Sequence, residues 1–179
     1  MLILTQRLAA HAQAADTQAA IPEAELTLAL TAEDRCRSRH RWLTQEAVDV
    51  QLQLPRGTVL LAGDLLGTDA ARPPVTWVRV IAKPEPVLTA YPHQPQDLVR
   101  AAYHLGNRHV PLEIGQNYLR LSPDPVLAEL LVHLKFQVTP EVTAFFPEAG
   151  AYHSIAQGHT HSHPHEQPHA HPHAHLHAH

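Results

Sequence analysis

From His153 to His179 the chain carries eleven of its seventeen histidines, and this stretch sets the first limit on what can fold. Hydrophobic periodicity is lost after Gly150. Pro164, Pro168 and Pro172 remove backbone donors and fix φ, which discourages both helix and sheet ladders. A segment that cannot bury apolar surface cannot offset the entropy of ordering itself. Residues 151–179 are therefore expected to be a disordered tail without metal, and the fold must be built from residues 1–150.

The same stretch points to a chemistry. Neutral imidazole is the commonest protein ligand for divalent transition metals, and His-rich tracts are read as metal-binding. Candidate ligands are His153, His159, His161, His163, His165, His169, His171, His173, His175, His177 and His179. An expression tag is usually an unbroken run, whereas Pro164, Glu166, Gln167, Pro168, Pro172 and Leu176 interrupt this one. A pH-sensing tail is the other reading: protonating all seventeen histidines moves the formal charge from −4 to +13. Metal binding accounts best for the density.

With 44% apolar residues in 179, the body has enough material for a core. Net charge is mildly acidic and only two lysines occur, Lys83 and Lys135, so no general basic field for nucleic acid exists. The exception is Arg35-Cys-Arg37-Ser-Arg39-His-Arg41, expected to face an acidic partner or solvent, since the aromatic interleaving of a nucleic-acid surface is missing. The single cysteine, Cys36, excludes an intrachain disulfide and a Cys-rich zinc site, and a lone thiol between arginines carries no assigned role. The opening Met1-Leu-Ile-Leu has too short an apolar run for a secretory signal, and no stretch approaches a membrane span. A cytoplasmic location is expected.

Residues 1–82 read as a small β-rich domain, a sandwich or barrel. Val48, Val50, Leu52 and Leu54 alternate with polar residues, Pro55-Arg-Gly57 makes a turn, Thr58–Leu61 a short strand, and Val75–Ile81 another. The Ala-rich stretch from Ala9 to Ala20 lacks an apolar stripe and is expected to be a loop. The pattern changes at Lys83-Pro-Glu-Pro86. Val87–Tyr91 reads as a strand, followed by a helix opened by Pro95 with Leu98, Ala101, Ala102 and Leu105 inward. Gly106 and Asn107 are the expected left-handed helix end. Strands over 110–114 and 118–121 flank a Gly115-Gln-Asn117 turn. Asp124 and Pro125 open a second helix with a stripe of Leu127, Leu130, Leu131 and Leu134, ahead of a strand over 136–146. Lys135 stands where glycine would be comfortable as a helix cap. The order β-α-β-β-α-β is that of a split βαβ, or ferredoxin-like, unit over residues 83–150. The fold class expected is α+β.

Around Ala102-Tyr-His-Leu-Gly-Asn-Arg-His-Val-Pro-Leu112 the chain resembles the UreE family of urease accessory proteins, which are nickel metallochaperones. Arg35-x-Arg37-Ser-Arg39, Leu54-Pro-Arg-Gly-Thr-Val-Leu60, Gly63-Asp64, Asp124-x-Val126-Leu127, Gly150-Ala-Tyr-His153 and the His-rich ending agree, so the resemblance covers nearly the whole chain. It implies an N-terminal domain that binds protein partners, a ferredoxin-like metal-binding domain, and a homodimer with nickel at its twofold interface. The family's invariant metal ligand falls on His109. Partners implied are the urease accessory GTPase and the apo-urease complex. The chain departs from some members in having Ser122-Pro-Asp-Pro125 where a His-x-His pair would stand, which shifts metal binding toward the tail.

One fixed imidazole is a poor chelator, but two His109 side chains meeting across a twofold axis begin a site. No nucleophile–base constellation and no P-loop is present, so the chain reads as a carrier, not an enzyme. The alternative is a His-rich storage protein for nickel, zinc or copper without a dedicated recipient. Imidazole sites follow the Irving–Williams order, so the tail cannot itself specify Ni²⁺ over Zn²⁺ or Cu²⁺. His104 lies one turn before the motif, where it either orients His109 or serves the helix surface; His133 is expected to serve helix packing, and His11, His40 and His93 have no ligand-like partners in sequence.

Overall fold

Apolar alternation in the first half resolves into two sheets that share one core. A computed structural model of the chain describes residues 1–10 and 21–148. One sheet holds β1 (Leu2–Leu4), β5 (Asp49–Leu52) and β4 (Arg41–Leu43), in the order β1-β5-β4. The other holds β2 (Gln6–Leu8), β6 (Leu65–Gly67), β7 (Trp77–Ala82) and β3 (Leu26–Leu30), in the order β2-β6-β7-β3. Leu4, Val50 and Leu52 from the first meet Leu28, Leu30, Leu66, Val78 and Val80 from the second, all essentially without solvent contact. Period-2 strands bury one face each, and packing these two faces together is what makes a sandwich. The chain enters both sheets at once: Gln53 N–H donates to Leu4 O and Thr5 N–H to Gly67 O, so β1 and β2 stitch the layers together.

The alternation at 48–54 is a strand at its centre, with Val50, Leu52 and Leu54 buried. Thr58–Leu61 is not a strand. Leu60 is buried, but its N–H donates to Arg35 O and that of Leu61 to an Asp64 carboxylate oxygen (2.8 Å), so these amides have no strand partner. Asp64, fully buried, also accepts from Ala10 N–H (2.9 Å) and Arg7 Nε (2.7 Å). The expected loop from Ala9 to Ala20 lies almost wholly outside the described residues.

The second half is one antiparallel sheet with two helices. β8 (Glu85–Pro92), β9 (Glu113–Ile114), β10 (Leu119–Leu121) and β11 (Phe136–Thr143) lie in the order β11-β8-β10-β9. α1 (Pro95–Gly106) and α2 (Pro125–His133) pack on one face. Leu88, Ala90, Leu119, Leu121 and Phe136 bury against Ala101 and Leu105 of α1 and Leu131 of α2. Pro95 opens α1 and Pro125 opens α2, where a missing N–H costs nothing. Asp124 caps α2, accepting from Val126 and Leu127 N–H (2.8 and 2.9 Å). The strand expected over 110–114 shrinks to two residues because Pro111 interrupts it. Gly115 turns the chain into β10; a Cβ there would collide with the Tyr118 ring. The molecule is α+β.

The face of this sheet away from the helices is closed differently. The strand expected to run to 146 stops at Thr143, and residues 144–148 form a stem that crosses the sheet. Phe145, with no solvent exposure, sits between Val87 of β8 and Ala32 of the N-terminal half. The halves are further joined by Ala32 N–H to Glu85 Oε1 (2.7 Å) and Lys83 N–H to Leu30 O.

Candidate metal centre

α1 ends at Gly106 with Asn107 as its cap, as expected, but neither residue is left-handed. Asn107 keeps helical dihedrals (φ −63°), and the left-handed position falls two residues later on His109, φ 55°. His109 N–H donates to Gly106 O (2.9 Å) and Val110 N–H to Leu105 O (3.2 Å), the paired bonds of a Schellman end. Val110 packs on the same core as Leu105, the hydrophobic contact that accompanies the motif. The motif therefore selects the residue that follows the last turn, and here that residue is a histidine. A left-handed backbone costs a non-glycine residue about 1–2 kcal/mol.

His109 is exposed, and among the described residues no hydrogen bond or ion pair holds its imidazole. Arg108 is turned away: its guanidinium donates to His104 O (2.8 Å), satisfying a helix-end carbonyl. His104 is exposed, with its ring edge-on to Tyr103 (5.5 Å). Val99 and Tyr103, one turn apart, leave the outer face of α1 apolar at 68% and 66% exposure.

No group of three or more His, Cys, Asp or Glu side chains among the described residues is close enough to hold a metal ion. His153, His159, His161, His163, His165, His169, His171, His173, His175, His177 and His179 all lie outside the described residues. What the structure places is the start of their segment. Glu148 N–H donates to Leu112 O (2.7 Å), three residues from His109.

Two of the other histidines hold contacts of their own. His133 bonds Glu129 O through Nδ1 (2.9 Å) and His40 packs on Trp42 (4.4 Å between centroids). His11 lies outside the described residues. Cys36 directs its thiol toward Ala32 O, and burial pushes that thiol's pKa up, which disfavours the thiolate a metal needs.

The arginine cluster, expected to face an acidic partner or solvent, makes most of its bonds within the molecule, with Arg37 and Arg41 exposed. Arg37 pairs with Glu33 (2.7 Å), Arg41 with Asp49 (3.0 Å), and Arg39 Nε donates to Leu54 O. Arg35 is buried; it donates to Phe145 O and lies 5.4 Å over the Phe146 ring. A second set escaped the sequence reading. Glu113, 8% exposed, accepts from Tyr118 OH and Arg120 (both 2.8 Å) through Oε1 and from Phe146 N–H (2.8 Å) through Oε2. Arg120 also meets Thr89, Glu141 and Ala144 O. An acid in a two-residue strand followed by Tyr-x-Arg gives no local sign of this, because its decisive partner lies 33 residues on.

Comparison with known proteins matches this arrangement along its length. The description "UreE urease accessory protein, N-terminal domain" fits residues 4–73, and "UreE urease accessory protein, C-terminal domain" fits residues 85–179. A urease accessory protein UreE from Nostoc sp. is 50% identical over 161 residues, covering 90% of this chain and 99% of that protein. Those of Nostoc punctiforme and Thermosynechococcus vestitus are 54% and 51% identical, covering 70% and 73% of this chain and 83% and 88% of theirs. The chain belongs to the UreE urease accessory protein family.

Proposed function

We propose that the chain is a nickel metallochaperone, not an enzyme, which hands Ni²⁺ to apo-urease during maturation of the urease metal centre. The observation that carries this reading is His109: an exposed imidazole with no described partner, held on a left-handed backbone where glycine would fit without strain. Ala47 and Lys135 share the positive φ, so the support comes from an imidazole standing at such a position, and not from the backbone alone. Nickel is cargo here, and Zn²⁺ or Cu²⁺ compete by the Irving–Williams order.

A single imidazole needs company. The apolar Val99–Tyr103 face of α1, which leads to His109, supports a homodimer that joins two His109 side chains across its axis. The stem's bond to Leu112 supports a second source, His153 and the tail histidines from His159 to His179. Five residues separate Glu148 from His153, a reach of about 17 Å at full extension, whereas three residues separate Leu112 from His109, about 10 Å. We read residues 1–82 as the partner-binding domain, 83–150 as a ferredoxin-like domain, and 151–179 as the metal-collecting tail. The recipients are the urease accessory GTPase and apo-urease complex, in the cytoplasm.

A nickel-transfer assay into apo-urease tests the reading with the full chain, a chain ended at Gly158, and His109→Ala. Transfer is expected to persist without the tail and to fall at least about tenfold in His109→Ala. Equal transfer by wild type and His109→Ala would remove His109 from the mechanism, and no transfer by any form would favour metal storage.

A further inference from the structure

Two segments of the N-terminal half, Arg35–Arg39 and Leu54–Leu60, are separated in sequence and lie side by side in the fold. Leu54 N–H donates to Ser38 O (3.0 Å), Leu60 N–H to Arg35 O (2.8 Å), and Arg39 Nε to Leu54 O (3.3 Å). Within the second segment Pro55–Thr58 makes a tight turn, in which the Thr58 N–H and hydroxyl both donate to Pro55 O (3.2 and 2.7 Å). Gly57 takes φ 80° there, and a side chain added to it would meet open space, so a partner can come close to the turn.

What these bonds leave on the surface is basic and apolar. Arg37 and Arg41 are neutralised by Glu33 (2.7 Å) and Asp49 (3.0 Å). Arg39 and Arg56 are exposed too, and among the described residues neither has a carboxylate partner. Val59 and Leu61, 39% and 44% exposed, flank the buried Leu60. Two uncompensated cations and two exposed aliphatic groups thus share one loop of a chain whose net charge is −4.

We propose that this turn, with Arg56 at its tip and Arg39 at its base, is the docking surface for an acidic, carboxylate-bearing segment of a protein partner in urease maturation. The inference rests on the reading of residues 1–82 as the partner-binding domain. Charge complementarity selects the occupant: a guanidinium offers a planar fork of donors that matches a carboxylate. Nucleic acid is a poorer match, because stacking on exposed aromatic rings is missing. Trp42, the one Phe, Tyr or Trp between residues 35 and 61, is half-buried against the first core. The bonds that join the two segments also hold the turn in one shape before a partner arrives, which lowers the entropy lost on docking. Exposed charges of this kind act mainly on the rate of encounter and on its salt dependence.

The test measures binding of the full-length protein to the purified apo-urease complex with its accessory GTPase, by surface plasmon resonance. Wild type is compared with Arg56→Glu, Arg39→Gln and a control, Arg72→Glu. Arg56 makes no bond within the described residues, so its reversal leaves the fold intact, and Arg72 lies outside the turn with its side chain 89% exposed. Arg56→Glu is expected to weaken binding at least about tenfold at about 0.05 M salt, and less than about twofold at about 1 M, where the screening length is about 3 Å. Arg39→Gln should lose about threefold at the lower salt, and Arg72→Glu should bind as wild type does. A polyglutamate peptide should displace wild type from the complex, and duplex DNA should not. Nickel affinity by calorimetry should be the same in all four proteins. Unchanged binding in Arg56→Glu overturns the proposal, as do equal loss in Arg72→Glu, equal competition by DNA, or weaker nickel binding in Arg56→Glu. A smaller mass for Arg56→Glu than for wild type in light scattering would assign the turn to contact between copies, and overturns it as well. If wild type does not bind the complex, the partner-binding reading fails and takes this proposal with it. Wild-type binding that survives Arg56→Glu removes the docking surface alone.

Discussion

His109 and Lys135 both end helices on left-handed backbone, at φ 55° and 66°. Lys135 N–H donates to Val132 O, as His109 N–H does to Gly106 O, so the two ends solve one geometric problem with residues that pay a steric penalty. They differ in what the residue is for. Lys135 is exposed, and glycine there should raise stability by about 0.5–1 kcal/mol, the steric relief less the added freedom of the unfolded chain. His109→Gly should give a similar rise in the denaturation midpoint while abolishing nickel transfer. A stabilised protein that has lost function would mark His109 as a residue kept for its chemistry; a destabilised one would show that the imidazole supports the fold. The strain at Lys135 was legible from its place after the Leu127–Leu134 stripe. That at His109 was not, since Gly106 and Asn107 offered a plausible earlier stop. The left-handed residue falls on His109 because Leu105 and Val110 share the core, and the Val110 N–H to Leu105 O bond of the Schellman end brings both to it.

At the level of elements, periodicity carried most of the second half. The spacing of Leu98, Ala101, Ala102 and Leu105 marks the packed face of α1, and the prolines and Asp124 mark where helices begin. Thr58–Leu61 misled because its apolar run is buried by a loop that bonds a carboxylate and a distant carbonyl, contacts that leave no local pattern. The β9–β10 hairpin hides the same kind of information. Its Tyr118 hydroxyl donates to Glu113 (2.8 Å), a bond that pushes the phenol's pKa above its ordinary value of 10.0. A folded-state pKa raised in this way adds stability that is present below about pH 10 and is lost as pH rises through the raised value. Urea midpoints should therefore fall more steeply above pH 10 for wild type than for Tyr118→Phe. Parallel curves would show that the hydroxyl contributes nothing to the hairpin.

Across the whole molecule, the α+β class and the order of strands and helices after residue 83 could be read in advance, whereas the junction of the halves could not. That junction depends on Arg35 meeting Phe145, a pair 110 residues apart, and no periodicity reports such a meeting. It also fixes an order of events during synthesis. Chains fold from the N-terminus as they emerge. The two N-terminal sheets contain every strand they need by Ala82, yet β8 lacks an antiparallel neighbour until β10 and β11 follow, and Phe145 arrives later still. Until then Ala32 and Val87 have no cover, and Arg35 has no carbonyl from the stem to bond. A chain ended at Thr143 reproduces that moment. Its Ala32 and Lys83 amides, protected in the full protein by bonds across the junction, should exchange with solvent at least about tenfold faster, while the amides of β5 and β7 exchange as before. The residue that seals the two halves is thus made after both of them, and an interrupted nascent chain would display its unsealed seam to whatever monitors unfinished proteins.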